Sequence, residues 1–256
     1  MNKTAFCIAK FTALEVFHNR ILWLALSSAI IAIGLGLFGH SLAITESWHI
    51  QTSFMSASLR FFAILIVCLV VVTTLSRELN DKSLEMVLSL AIKRSTYYFG
   101  KLLGFSFIIF SLAIFFGVCM LIATPFDNTL IWTLSLFCEL FLVMCFSLLC
   151  AMTIRQIPIA IVTVLGFYFL TRTIGSAILM MNASLQITTS AANSMMSTVL
   201  QSISVVIPDL SHFTNSDWLI YGDANWHTLS AILLQTFIYS FLIISASLID
   251  FYRKSV

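Results

Sequence analysis

The chain has 256 residues, 60% of them hydrophobic and only 9% charged, with 13 Lys and Arg against 11 Asp and Glu. Soluble domains are about half apolar and a quarter charged, so arguments suited to water-soluble folds do not apply. The strands of a membrane β-barrel alternate and run only about 10 residues, whereas the apolar runs here are long and continuous. The expected class is therefore an all-α polytopic membrane protein.

In chain order, residues 1–20 carry Lys3, Lys10, Glu15 and Arg20, with no short apolar run closed by an A-x-A site, so no cleavable signal peptide is expected. Phe6, Ala9, Ala13, Phe17 and Ile21 recur at helical spacing, which predicts an N-terminal interfacial helix rather than a frayed tail. Six spans follow, at about 21–40, 57–76, 102–123, 131–153, 158–181 and 229–250; each can cross a core of roughly 30 Å. The connections fall near His40–Met55, Arg77–Lys101, Thr124–Leu130, Ile154–Ile157 and Asn182–Thr228. No linker marks a second domain, so residues 1–256 are expected to form one membrane-embedded unit. The long segment 182–228 begins with an uncharged, half-polar stretch that reads as an extracellular helix or re-entrant pair, which Pro208 ends.

Lys and Arg set the orientation. With the N-terminus inside, 11 of the 13 basic residues lie in inner segments, while the outer loops hold Glu46, Asp127, Asp209, Asp217 and Asp223 and no Lys or Arg. Both termini are expected in the cytoplasm. Trp48, Trp132, Trp218 and Trp226 fall near the outer boundary and Trp23 near the inner one, as an aromatic belt requires.

Several motifs point to packing rather than chemistry. "GLGLFG" (Gly34–Gly39) matches G-x-G-x-x-G but sits inside an apolar run without the strand and helix that nucleotide binding needs. Its glycines fit close approach of a neighbouring helix, as do Gly100 and Gly104. "STYYFGKL" lacks the first glycine and the final Ser or Thr of a P-loop, so no ATP site is recognisable. The six cysteines read as small hydrophobes without disulfides, and the methionines as packing. His40, His49, His212 and His227 share the outer side but not metal-ligand spacing. No cofactor or metal site is expected on this chain, and no enzymatic constellation appears.

Three charges fall within spans: Arg60, Glu139 and Arg172. At 1.5 Å per residue Glu139 lies roughly 12 Å from the outer surface and Arg172 about 9 Å, with Arg60 at a similar or shallower level. Intramembrane charges pair or face a cavity. Glu139 is expected to pair with Arg172 as first choice and with Arg60 as second, either lining a route or clamping helices together.

The remaining anomaly is "SRELNDKSLEMVLSLAIKRSTYYFGK" (Ser76–Lys101), which holds Arg77, Glu78, Asp81, Lys82, Glu85, Lys93, Arg94 and Lys101, a third of the charged residues. Arg77–Asp81 and Glu78–Lys82 are i,i+4 pairs. Leu84, Val87, Leu88 and Ala91 form one apolar stripe, and Lys93 and Arg94 suit a helix C-terminus. The pattern is a short amphipathic helix at the inner surface, which is either a surface helix or a docking element.

This run resembles the first cytoplasmic loop of ABC-2 type transporter permeases, in which an R-E pair is followed by a Gly-Thr-Leu-Glu-like turn, a Leu-rich stretch, a Pro, an Arg and a Gly-Lys. Arg77-Glu78, Ser83-Leu84-Glu85, Val87-Leu88, Arg94 and Gly100-Lys101 fall at those places. Lys82 stands where Gly is common and Ala91 where Pro is common, so the helix is expected to be straighter or longer. "EVFHNRILW" and "IPDLSHF" look like the lead-in to the first span and the segment before the last. The resemblance implies a permease subunit of a bacterial ATP-driven transporter in the inner membrane, acting as an exporter. It would pair with a second permease, identical or related, with a homodimer as the first expectation, over two copies of a separate ABC ATPase that binds ATP and Mg; membrane lipid is the other contact, and nucleic acid is not a partner. The loop would dock on the ATPase through Arg77, Glu78, Asp81, Lys82, Leu84, Glu85, Leu88 and Arg94. The rivals are a maturation-type permease, serving cytochrome c or metal-enzyme assembly, and a non-transport scaffold or intramembrane enzyme.

Overall fold

The computed structural model describes residues 2–18, 21–42, 47–80, 94–154, 156–185, 210, 213 and 226–253. Among these residues lie seven α-helices: α1 (Asn2–His18), α2 (Ile21–Leu42), α3 (Ser47–Asn80), α4 (Arg94–Met120), α5 (Phe126–Thr153), α6 (Ile157–Leu185) and α7 (Trp226–Arg253). Helices α2 to α7 supply six segments long and apolar enough to cross a membrane. The chain is thus a multi-pass membrane protein whose described elements are all helical. In hydrocarbon every backbone polar group must be satisfied within its own segment, which leaves a helix as the available form for such runs. The hydroxyls obey the same constraint: Thr12, Thr73, Thr133, Ser147 and Thr236 each donate to the carbonyl one turn earlier.

Helix α5 is the hub. It packs against α3, α4, α6 and α7, while α2 lies behind α3 and α1 behind α4. Leu136, Leu140, Met144, Cys145 and Leu148 on α5 have 0% exposure. The outward surface is apolar as well, with Phe107, Phe110, Phe237 and Phe241 exposed, as suits helices solvated by lipid tails. All six cysteines are free, and Cys7 alone of them is exposed.

The helices outrun the predicted spans. Helix α3 has 34 residues, about 50 Å at 1.5 Å per residue, so it projects beyond a core of roughly 30 Å. Its first nine residues and the first two turns of α4, residues 94–101, were both expected as connections. Amphipathic turns flanking a span can stay helical past the hydrocarbon, so hydropathy marks the bilayer rather than the helix end. Helices α4 and α5 are joined through residues 121–125 alone. There the Thr124 N–H and hydroxyl both donate to the Met120 carbonyl, at 3.1 and 3.0 Å, and Pro125 precedes the new helix in extended backbone.

Glycines set the closest helix contacts. A Cβ on Gly104 would lie 2.9 Å from the Ala9 carbonyl and from Thr12, and one on Gly100 would lie 3.0 Å from Ile8. Successive turns of α1 therefore meet successive turns of α4. The expected apolar stripe of α1 is displaced accordingly. Thr12 and Val16 are buried and Ala5, Ile8, Ala9 and Ala13 partly so, while Phe6 and Phe11 are exposed. Small residues, not the largest apolar ones, let α1 reach a glycine surface.

Candidate functional site

The three intramembrane charges converge. Arg60 on α3 and Glu139 on α5 are each thirteen positions in from the start of their helix, and Arg172 is thirteen positions from the end of α6. Helices α3 and α5 run in the same sense and α6 returns, so all three residues fall about 20 Å from the same helix ends. The ion pair is Arg60 Nη1 to Glu139 Oε2 at 2.7 Å, with side-chain exposures of 3% and 0%. The first-choice partner was Arg172, and the geometry corrects this. Arg172 Nη1 donates to the Tyr168 hydroxyl at 2.7 Å, and that hydroxyl donates to Glu139 Oε1 at 3.1 Å. Side chains on a helix lean towards its N-terminus, so Arg172 meets Tyr168 one turn back, and the phenol spans the remaining distance.

Around Arg60 the site is closed. Its guanidinium carbon lies 5.2 Å from the Trp132 ring centroid, a cation–π arrangement. Its Nη2 is 3.5 Å from the Ser135 hydroxyl, which donates to the Phe213 carbonyl. Trp132 is therefore not part of a lipid-facing belt: at 2% exposure it is the floor under Arg60. Trp23 and Trp48 are exposed. Two charges removed from water need good mutual geometry and satisfied neighbours to persist, and Trp132, Ser135 and Tyr168 supply these.

Sequence reading placed Trp132 in the aromatic belt and passed over Ser135 and Tyr168. Their signal was spacing: Trp132, Ser135 and Glu139 share one face of α5, and Tyr168 precedes Arg172 by one turn. Phe213 carried no such signal, because its contact with Ser135 bridges 78 positions.

A second polar group lies at the opposite ends of the helices, where Arg77, Arg94, Lys101 and Arg253 gather. Here Glu78 on α3 receives hydrogen bonds from two α4 side chains, Lys101 and the Tyr97 hydroxyl, the latter at 2.5 Å. Lys101 is buried, and its ammonium also lies 5.9 Å from the Tyr97 ring. Arg94 begins α4 and donates to the Phe251 carbonyl at 3.3 Å, satisfying a carbonyl in the last turn of α7. Thr153 at the end of α5 donates to Asp250 on α7 at 3.0 Å. Of the residues assigned to docking, Glu78 and Arg94 thus make contacts inside the bundle, and Arg77 is exposed at the end of α3. Asp81, Lys82, Leu84, Glu85 and Leu88 lie outside the described residues, as does most of the outer segment 182–228.

Among the described residues, no three His, Cys, Asp or Glu side chains gather where a metal ion could be held. Comparison with protein-family models and with curated proteins finds no match to this chain.

Proposed function

We propose that this chain is the membrane-spanning subunit of a bacterial ATP-driven exporter of the ABC-2 permease type. It sits in the inner membrane with its basic helix ends in the cytoplasm, and works as a homodimer with a separate ATPase present in two copies. The observation that carries this reading is mechanical. One continuous helix, α3, bears Glu78 at the root of the charged 81–93 stretch and Arg60 in the buried ion pair. The two are eighteen residues apart, about 27 Å along the axis. Glu78 also ties α3 to α4, the helix that resumes after that stretch. A force delivered at residues 81–93 would enter both helices together and reach the junction of α3, α5 and α6. Charged groups along the stretch would meet complementary groups on the ATPase, with Leu84 and Leu88 as apolar anchors. ATP and Mg would be held by that partner alone.

Affinity purification of the chain from its native membrane should bring down a soluble ATPase. Charge reversal of Arg77 or Glu85 should weaken that association by about an order of magnitude, or uncouple ATP hydrolysis from transport. Reversal of Glu78 belongs in a separate class, because it also breaks the contacts with Lys101 and Tyr97. If no ATPase accompanies the chain, or the Arg77 and Glu85 reversals leave association and hydrolysis unchanged, the docking assignment is wrong.

A further inference from the structure

Among the described residues the intramembrane cluster holds two guanidinium groups and one carboxylate, whose charges do not cancel. Both carboxylate oxygens of Glu139 are engaged, one by Arg60 and one by Tyr168. Arg172 is half-buried, and among the described residues it is offered only a neutral phenol. Guanidinium carries five N–H donors, and among the described residues a single contact, to Tyr168, is made by this one. Hydrocarbon supplies no acceptor for the others, and a charge at this depth is stable only beside a counter-charge or a wet cavity. The bond to Tyr168 also draws Arg172 one turn inward, against the outward snorkelling that would relieve it.

We propose that Arg172 is the binding residue of an anion site in the membrane-embedded part of the bundle, and that it takes a phosphate group. The planar donor fork suits a tetrahedral oxyanion. Tyr168 holds the fork in place, and Glu139 neutralises Arg60, so that among the described residues one positive charge is left for the ligand. The phosphate belongs either to the headgroup of an anionic lipid or to a free phosphate-bearing solute. The site stands apart from the transport reading, since it needs no ATPase to fill.

The test is the thermal unfolding midpoint of the purified chain, for the wild type, Arg172→Gln and Arg172→Lys. One arm compares nanodiscs of phosphatidylglycerol with nanodiscs of phosphatidylcholine, and the other titrates inorganic phosphate against chloride at constant ionic strength. A ligand that binds only the folded state raises the midpoint by a few degrees. A rise specific to phosphatidylglycerol, absent in Arg172→Gln and reduced in Arg172→Lys, supports the site and names a lipid headgroup as its source. The same pattern with inorganic phosphate supports it and names a soluble anion. Absence of any anion-dependent rise in the wild type overturns the proposal. So does a rise that survives Arg172→Gln, or one that emerges only when Asp209, Asp217 and Asp223 are all replaced by Asn, since the balancing charge is then the chain's own.

Discussion

At the scale of single residues, Glu139 matters most. Arg60 is buried, and among the described residues it has one carboxylate as its counter-charge. Replacing Glu139 by Gln keeps the shape but leaves that guanidinium uncompensated, a change that costs about 3–5 kcal/mol when a buried partner is removed. The unfolding midpoint in detergent should fall accordingly. The double variant Arg60→Met with Glu139→Leu should regain most of the loss, because removing both charges leaves nothing to compensate. A double variant no better than Glu139→Gln would mean that the pair is not the source of the effect. Sequence alone identified the three charges, since each interrupts an apolar run. It ranked Arg172 before Arg60 as the partner of Glu139, and the structure reverses that order, because depth along a helix says nothing about which face a residue takes and helix rotation made the choice.

At the scale of elements, contact between helices is controlled where side chains are missing. A Cβ on Gly117 would collide with the Thr133 hydroxyl on α5, whereas one on Gly34 meets nothing within 4 Å. Gly117→Val should therefore destabilise the α4–α5 hairpin by about 1–3 kcal/mol through overpacking. Gly34→Ala should be neutral, or stabilising by roughly 0.5–1 kcal/mol through reduced backbone freedom of the unfolded chain. Midpoints measured side by side decide this, and equal effects at the two sites would refute the packing assignment. The "GLGLFG" run shows how far pattern reading reaches. Its three glycines look alike in sequence, yet Gly36 and Gly39 lie against α3 while Gly34 faces open space. The Gly100–Gly104 pair was legible as a packing surface from its spacing, and the structure adds that its occupant is α1.

At the scale of the whole molecule, charge predicts the orientation. Arg77, Arg94, Lys101 and Arg253 sit at one set of helix ends, and α1 with its exposed Cys7 packs on the first turns of α4 at that same end. A membrane-impermeant maleimide should label Cys7 in inverted vesicles and not in right-side-out ones, with Cys7→Ser as the control. The reverse pattern would place the basic ends outside and remove the basis for a cytoplasmic ATPase contact.

What the sequence determined by itself was the class of the molecule. Uninterrupted apolar runs dictate helices in a bilayer, their number follows from their length, and the placement of Lys and Arg sets an expected orientation, because all three depend on composition along the chain. Only the tertiary structure decided that α5 is the hub, that Arg60 rather than Arg172 holds Glu139, and that Glu78 turns inward to α4. Each of these depends on how helices rotate and approach one another in space, a choice settled by glycine notches and buried hydrogen bonds between residues far apart in the chain.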